Sequence, residues 1–163
     1  MFRQFAKWTG AKAAERVSIS SLGATQAHAC CILHATSFAH PWSVADFEAF
    51  LLERSIVADG AFTRRLAGFS LSRLAGDEAE ILAIVVDSSH RRHGIGRQLL
   101  VAHLGHVAAA GARQIFLEVD EQNAPALRLY ISTGFAEVGK RPAYYRKTDG
   151  SRGNALILRC PLG

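Results

Sequence analysis

The spacing of apolar residues along the chain predicts short strands that alternate with helices. Residues 81–86 read Ile-Leu-Ala-Ile-Val-Val, and a continuous apolar run of this kind is typical of a central strand covered on both faces. Residues 94–110 instead carry Leu100, Leu104 and Val107 at helical spacing, which predicts an amphipathic helix. The pattern therefore predicts an α/β fold, in which helices pack on a mixed sheet.

The other elements follow from similar runs and from the residues that begin or end them. Ser43 is placed to cap a helix, with Glu48 positioned to support its first turns. Gly76 predicts a hairpin turn, and Gly111 and Gly134 are expected to end helices. We expect strands at residues 16–19, 55–58, 65–74, 79–86, 114–119 and 155–160. We expect helices from the caps at 20–25 to residue 38, and at 44–54, 94–110 and 124–133.

Length and composition fit one globular domain. The 163 residues are 49% hydrophobic and 20% charged, and a chain of this size buries enough surface to fold without disulfides or metals. No apolar run approaches the roughly 20 residues of a membrane span, and residues 1–16 lack the apolar segment of a signal peptide. We expect an N-terminal extension at 1–16, either loosely docked or a short amphipathic helix, and a single domain at 17–163.

The cysteines and histidines indicate neither a disulfide framework nor a metal centre. Cys30 and Cys31 are adjacent, and with Cys160 they form no C-x-x-C pair, so a reducing cytoplasm is the simpler interpretation. His103 and His106 share a helix face but lack a third ligand, so we predict no metal. The net charge of +5 favours anionic partners such as phosphates. Because the basic residues are scattered, we expect a monomer without a nucleic-acid or membrane partner.

The glycine loop after the apolar run is the sharpest candidate for a binding site. A strand ending at Val86 is followed by a polar loop, and Gly94 and Gly96 then open a helix. The first amides of a helix lack an intrahelical partner and form an anion site with the helix dipole. A tight turn with surface arginines is the alternative interpretation. The loop lacks the third glycine of a dinucleotide fingerprint and the G-K-[ST] of a P-loop.

A second block of residues lies downstream of this loop. Residues 123–135 follow N-x-x-A-x-x-L-Y-x-x-x-G-F, and together with R-x-x-G-x-G at 91–96 they resemble the GNAT acetyltransferase superfamily over roughly residues 17–160. H-P-W-S at 40–43, L-E-V at 117–119, and Y-Y at 144–145 before T-D-G at 148–150 are similar to the RimI-type members. Those enzymes acetylate the N-terminal alanine of a small-subunit ribosomal protein. The resemblance implies the GNAT acyl-CoA N-acyltransferase fold, a central mixed twisted sheet flanked by helices, with acetyl-CoA as cosubstrate.

The resemblance also implies where each substrate binds. The acetyl-pantetheine arm would lie along the strand at Ile84, Val85 and Val86, and Asn123 would cap the later helix and contact the cofactor. The residues expected to hold the pyrophosphate are Arg91, Arg92, His93, Gly94, Ile95, Gly96 and Arg97. The residues expected to flank the peptide groove are Trp42, in the H-P-W-S turn, and Tyr144 and Tyr145, in a loop.

Two residues are candidates for proton transfer in a direct attack within a ternary complex. Glu118 is the candidate base, because an α-amine with a reference pKa near 8 is mainly protonated at neutral pH. Tyr130 is the candidate acid that protonates the leaving thiolate. Plainer interpretations are a solvated carboxylate at a strand end and a tyrosine that only packs. Trp42 also has two interpretations, core packing and substrate contact.

Some features depart from the RimI-type pattern. Asp120 stands where arginine is usual, Arg146 and Lys147 follow the paired tyrosines where proline is common, and the segment before Arg16 has no usual counterpart. Two alternatives therefore stay open. One is a GNAT enzyme for another amine, such as a lysine side chain, a polyamine or a small molecule. The other is a non-catalytic acyl-CoA-binding module.

Overall fold

The computed structural model describes residues 16–146, 150 and 152–163. Within them, seven strands form one mixed sheet and four α-helices cover its two faces. The strands are β1 (Ser18–Ser21), β2 (Ile56–Phe62), β3 (Leu66–Ala75), β4 (Glu78–Val86), β5 (Gln114–Asp120), β6 (Ala136–Arg146) and β7 (Arg152–Pro161). The helices are α1 (Ala27–Ala35), α2 (Val44–Leu52), α3 (Ile95–Ala109) and α4 (Ala124–Ser132). The predicted extension lies outside the described residues, apart from Arg16, as do residues 148 and 149 of the T-D-G segment.

The sheet opens into a fork at its centre. Its strand order is β1-β2-β3-β4-β5-β7-β6, and β4 and β5 form its parallel pair. These two strands pair only at residues 78–80 and 114–116, whereas β3 and β7 continue along their outer sides. Beyond that point the facing edges of β4 and β5 have no neighbouring strand. Backbone N–H and C=O groups along the fork are therefore available to a ligand.

A β-bulge at Leu82 changes which face of the sheet β4 presents. Leu71 and Ser72 of β3 pair with Ala83 and Ile81, so Leu82 is an extra residue in β4. An extra residue reverses the alternation of side chains between the two faces. Ile81 consequently packs in the core with residues of α3 and α4, whereas Ala83 packs with residues of α1 and α2.

The helix ends follow from local hydrogen bonds. Ser43 Oγ accepts from the N–H of Asp46 at 3.1 Å, and the Asp46 carboxylate accepts from the N–H of Ser43 at 2.7 Å. The expected support from Glu48 was wrong, because a capping box needs a three-residue spacing. Gly111 and Gly134 have φ of 106° and 100°, which confirms that they end α3 and α4. None of the helices in the described chain is long and apolar enough to cross a bilayer.

A buried polar network connects α3 to the sheet. His103 Nδ1 lies 2.7 Å from Oδ2 of Asp59, and His103 Nε2 lies 2.6 Å from Ser72 Oγ. His106 Nδ1 lies 2.8 Å from the other carboxylate oxygen of Asp59. The two histidines that share a face of α3 therefore both bond to one carboxylate of β2, which fixes α3 over β2 and β3.

The largest difference from the sequence prediction is β6. Residues 144 and 145 were expected in a loop, but they lie in this strand. Its pairing with β7 shifts between Arg141 and Tyr145, and Ala143 has a φ of 54°. Asn154 Oδ1 of β7 accepts from the Ala143 N–H at 3.0 Å and so holds the bulge. Pro142 is tolerated because β6 is an edge strand.

Candidate active site

The fork between β4 and β5 forms a cleft of about 1250 Å³. It is lined by residues of β4, β5, α3, α4, β6 and the two loops that follow α1 and β4. The cleft brings together these residues expected from the sequence: Trp42, Ile84, Val85, Val86, Arg91, Arg92, Gly96, Glu118, Asn123, Tyr130 and Tyr144. Tyr145 lies in β6, but its side chain is outside the described part of the structure.

One end of the cleft is formed by the first turn of α3. Gly94 precedes the helix with a φ of 77°, and the Gln98 N–H closes the first turn of the helix by donating to the Gly94 carbonyl. The amides of residues 95–97 lie before that bond and lack an intrahelical acceptor. A Cβ on Gly96 would lie 3.6 Å from the side chains of Val86 and Leu129. The backbone of this turn therefore lies against the cleft wall, as close approach to an anion requires.

Two arginines of the loop after β4 have different surroundings. Arg92 lines the cleft and has a φ of 65°, a conformation that non-glycine residues rarely adopt and that is often found at functional sites. Arg91 Nε donates to the Val86 carbonyl at 3.0 Å, and its Nη2 lies 3.4 Å from Ser37 Oγ. Arg91 therefore joins the loop both to the end of β4 and to the segment between α1 and α2.

Other residues of the glycine loop lie outside the cleft lining. Arg97 Nη1 donates to the carbonyl of Ser132 at 2.9 Å and to its hydroxyl at 3.1 Å. The side chain of Ile95 is buried in the core. His93 and Gly94 are also absent from the lining of the described cleft. In the observed arrangement, Arg97 joins α3 to α4 and its guanidinium does not face the cleft.

The donor groups fit an extended molecule with a polyanionic end. Unpaired helix amides and Arg92 lie at one end of the cleft, together with Arg128 from α4. The unpaired edge of β4 runs from there along the fork, past the bulge at Leu82. An acyl-CoA has this form, since its pyrophosphate is followed by a long amide-containing arm. The residues present therefore suit that cosubstrate.

Glu118 is held by two residues of β6. Its Oε1 lies 3.0 Å from Nη1 of Arg141, and the Tyr144 hydroxyl is hydrogen-bonded to its carboxylate. That hydrogen bond and the charge of Glu118 raise the pKa of Tyr144. The Arg141 guanidinium also lies 5.5 Å from the centre of the Tyr144 ring. Arg141 was not expected from the sequence. The neighbouring Pro142 could have indicated it, because a proline within a strand is typical of an irregular edge strand.

Tyr130 and Asn123 approach the cleft from α4. Tyr130 is 7% exposed and packs edge-on against Phe135, with ring centres 5.6 Å apart, and it also lines the cleft. Tyr130 therefore both packs in the core and reaches the cleft. Asn123 Oδ1 accepts from the Ala126 N–H at 3.3 Å, which confirms its capping role, and it lines the cleft as well.

An aromatic stack forms the wall opposite β6. The His34 ring lies between those of Phe38 and Trp42, with centres 4.1 and 4.5 Å away. His34 Nδ1 accepts from the Trp42 N–H at 3.2 Å, and burial lowers the pKa of His34. Trp42 is half-buried against Phe47 and Phe50 and lines the cleft, so both of its interpretations apply.

A second cavity of about 370 Å³ adjoins the cleft and shares Glu80, Leu117 and Glu118 with it. Arg141 and Ile157 line its far side. Since Leu117 packs in the core with residues of α3 and α4, alternation along β5 places Glu118 on the opposite face of the sheet. Glu118 and Tyr130 thus reach the cleft from different faces. Glu80, a carboxylate at the base of the fork, is a second residue that sequence analysis missed.

Comparisons with known proteins agree with this architecture. The ribosomal protein bS18-alanine N-acetyltransferase of Escherichia coli (strain K12) is 34% identical over 145 residues, which cover 89% of this chain and 97% of that protein. Its counterpart in Haemophilus influenzae is 31% identical over 75% of this chain and 83% of its own. The crystal structure of the Escherichia coli enzyme superposes with a TM-score of 0.83 and 32% identity, over 91% of this chain and 95% of that one.

A more distant structure supports the fold alone. Arabidopsis thaliana NAA60 in complex with acetyl-CoA superposes with a TM-score of 0.79 at 17% identity, over 90% of this chain and 99% of its own. The sequence profile of the acetyltransferase (GNAT) family matches residues 27–135, a segment that contains the fork, the glycine loop, Glu118 and Tyr130. Both the GNAT fold and the family resemblance expected from the sequence are therefore confirmed, and the chain belongs to the GNAT acetyltransferase family.

Proposed function

We propose that this chain transfers the acetyl group of acetyl-CoA to the N-terminal α-amine of a small-subunit ribosomal protein that begins with alanine. The observation that carries the proposal is the forked cleft, which has uncapped helix amides at one end and Glu118 and Tyr130 on opposite walls. Relatives at 31–34% identity are named as alanine N-acetyltransferases of ribosomal protein bS18, which supports the proposal. The proposal includes a cytoplasmic location, since that is where a bacterial ribosomal protein would be acetylated.

The residues of the glycine loop bind the cosubstrate. The amides of Ile95, Gly96 and Arg97 and the guanidinium of Arg92 bind the pyrophosphate, because helix amides and positive charge stabilise an anion. Arg91 supports this loop, and Asn123 contacts the cosubstrate near the start of α4. Acetyl-CoA supplies a thioester as the activated acyl group. The free backbone edge of β4 at Ile84, Val85 and Val86 aligns the arm that carries it.

The reaction is a direct attack of the amine on the thioester. Glu118 removes a proton from the α-ammonium, either directly or through water, and leaves the lone pair on nitrogen. That lone pair forms the new bond to the carbonyl carbon, and the carbon–sulfur bond then breaks with its electrons on sulfur. Tyr130 donates its phenolic proton to that sulfur and regains one when the nitrogen of the new amide loses its second proton. A backbone N–H near the bulge at Leu82 stabilises the carbonyl oxygen.

The acceptor peptide approaches between the aromatic stack and β6. Trp42 and Tyr144 offer apolar rings with polar edges on the two sides of the cleft, and Tyr145 follows Tyr144 in the same strand. An α-amine has a reference pKa near 8, against about 10.4 for lysine. At neutral pH the α-amine therefore loses its proton at a lower free-energy cost.

The substrate class is tested with matched peptides. Purified protein is incubated with acetyl-CoA and an alanine-starting peptide that contains one lysine, and with the same peptide blocked at its N-terminus. We expect acetylation of the free peptide, located by fragmentation mass spectrometry at the α-amine, and none of the blocked one. Acetylation of the blocked peptide at lysine would instead identify an enzyme for another amine.

A second experiment separates catalysis from simple acyl-CoA binding. We expect Glu118→Gln and Tyr130→Phe each to lower kcat by roughly 10²- to 10⁴-fold, with the affinity for acetyl-CoA close to that of the wild type. Glu137→Gln is the matched control, since Glu137 is an exposed carboxylate of β6 outside the cleft lining. Full activity in both site variants would contradict the assigned roles. Binding without turnover in the wild type would favour the non-catalytic module.

A further inference from the structure

The proposed base, Glu118, already forms an ion pair with a cationic side chain before any acceptor arrives. Its carboxylate contacts the Arg141 guanidinium at 3.0 Å and the Tyr144 hydroxyl. The side chain of Glu118 is 19% exposed and that of Arg141 is 55% exposed. Glu118 lines both the cleft and the adjoining cavity, and Arg141 lines that cavity. Arg141 therefore occupies the position from which it can act on any amine that reaches Glu118.

Other titratable groups surround Glu118 on several elements. They are Arg73 of β3, Glu80 of β4, Asp120 of β5, Tyr144 and Arg141 of β6, and Tyr130 of α4. Arg73 pairs with Glu53 at 3.5 Å, and Asp120 Oδ1 accepts from the Gln122 N–H at 2.9 Å. The residue of β7 opposite Glu118 is Ile157, which does not titrate. Arg141 is thus the cation that directly contacts the carboxylate, in a region that also contains Glu80 and Asp120.

A carboxylate without a cation beside it would hinder the attack of the amine that it is meant to assist. A negative charge within about 4–6 Å of an amine favours the ammonium form, in which the lone pair is bound to a proton. Glu80, Glu118 and Asp120 all line the cleft, and any carboxylate this close to a bound ammonium would stabilise it. A guanidinium beside the closest one opposes this effect, and it also restricts the carboxylate to one orientation.

We propose that Arg141 is a positioning residue that orients Glu118 and keeps the bound acceptor amine reactive at neutral pH. The inference rests on the proposed acetyl transfer to an amine and deepens it. The nitrogen–hydrogen bond breaks with its electron pair left on nitrogen, and the proton passes to a Glu118 oxygen and then to solvent. Arg141 gains and loses no proton. Its positive charge disfavours the protonated amine, and so promotes net loss of the proton.

The test is the pH dependence of kcat at saturating peptide, because that profile reports groups in the enzyme–substrate complex. Removal of the positive charge in Arg141→Gln should move the ascending limb of the profile upward by about 0.5–1 pH unit, without raising KM. Arg141→Lys keeps the charge and should leave the limb at its wild-type position.

Lys140→Gln is the matched control. Lys140 is the preceding residue of β6, is about as exposed as Arg141 and pairs with a different carboxylate, Glu121. Unlike Arg141, which lines the adjoining cavity, it lines neither that cavity nor the cleft. This variant should reproduce the wild-type profile. An Arg141→Met variant, which keeps the aliphatic stem over Tyr144, replaces the glutamine variant should that one fold poorly.

A limb that stays at the wild-type pH in Arg141→Gln overturns the inference. A raised KM with no shift in the ascending limb also overturns the inference, because Arg141 would then only contact the peptide in its groove. The proposed function fails separately, when alanine-starting peptides are not acetylated. The same pH profile would then be measured with the amine that is acetylated, since the charge argument holds for any acceptor nitrogen.

Discussion

His103 Nδ1 lies 2.7 Å from Oδ2 of Asp59, and neither side chain is exposed to solvent. His103 belongs to the helix whose first turn faces the cleft, and Asp59 belongs to β2 at the far side of the sheet. Ser72 Oγ and His106 Nδ1 complete the hydrogen bonds of the pair. A binding element is thus fixed in place by polar contacts about two turns away from the ligand site.

Loss of the Asp59 carboxylate should destabilise the fold strongly. Asp59→Ala leaves the buried His103 and its partner His106 without their acceptor, and breaking a buried pair from one side costs about 3–5 kcal/mol. Denaturant unfolding measures the change in the free energy of unfolding. Asp77→Ala, at the exposed hairpin turn, is the control and should cost less than about 0.5 kcal/mol. Equal stability of the two variants would contradict the importance of the network.

The same carboxylate predicts a loss of stability in acid. Burial raises the pKa of Asp59, but hydrogen bonds and charge from His103 and His106 outweigh it, so the pKa is lowered overall. A folded-state pKa below the unfolded value near 3.9 contributes stability that is present above that pH and lost as the pH falls below it. The stability advantage of the wild type over Asp59→Asn should therefore shrink as the pH falls below about 4. A constant advantage across this range would argue against the assignment.

Two serines of β3 form a matched pair. Ser72 Oγ is hydrogen-bonded to His103, whereas Ser70 Oγ is buried with no hydrogen-bond partner among the described residues. Ser72→Ala should lower the free energy of unfolding by about 1–3 kcal/mol, because it leaves a buried ring nitrogen unsatisfied. Ser70→Ala removes an unsatisfied hydroxyl and should be neutral or stabilising. The reverse order of the two changes, measured by urea denaturation, would show that the bonding pattern is wrong.

The aromatic wall of the cleft should weaken as the pH falls. His34 Nδ1 accepts from the Trp42 N–H, and burial lowers the pKa of His34. A histidine whose pKa is lowered by folding contributes stability that is fully present above its unfolded pKa near 6.5 and lost as the pH falls towards its folded pKa. Between pH 7.5 and 5.5 the wild type should lose more stability than His34→Phe, which keeps the stack but cannot be protonated. Parallel curves for the two proteins would refute this.

Arg92 and Arg97 should contribute differently to acetyl-CoA binding. Arg92 lines the cleft, whereas the guanidinium of Arg97 is bonded to Ser132. We expect Arg92→Gln to weaken acetyl-CoA binding by about tenfold, since a hydrogen bond to a charged group is worth roughly 1.5–3 kcal/mol. Arg97→Gln should change the Kd by less than about twofold and lower the stability slightly. Calorimetry measures both affinities, and a larger effect of Arg97→Gln would restore it as a phosphate ligand.

Local patterns predicted most of the fold. The apolar run at 81–86 and the helix caps at Ser43 and Asn123 depend on neighbours within a few residues, and the structure confirms them. The strand β2 was predicted too short because Asp59 and Gly60 interrupt its apolar pattern. Asp59 is buried only because histidines of α3, more than forty residues away, bond to it. Such long-range pairs cannot be recognised from a short stretch of sequence.

The site was predictable where a motif identifies a residue and not where a fold brings residues together. Glu118 and Tyr130 follow from the resemblance, and both line the cleft; their chemical roles stay predictions. The contact of Glu118 with Arg141 depends on the register of β6 against β7, which shifts between Glu137 and Gly139 before it reaches Arg141. The orientation of Arg97 depends on Ser132 of a different helix. Neither partner could be read from the spacing along the chain.

The irregularity of β6 also bears on what can attach to the sheet from outside. A straight outer strand offers a regular row of amides and carbonyls to which another polypeptide can add. Here Pro142 lacks an amide hydrogen, and Ala143 turns the backbone out of the extended conformation. At the opposite border, β1 has only four residues. Both borders are therefore poor templates for an added strand, so the bend between Arg141 and Tyr144, the two residues that hold Glu118, also protects the protein from edge-to-edge aggregation.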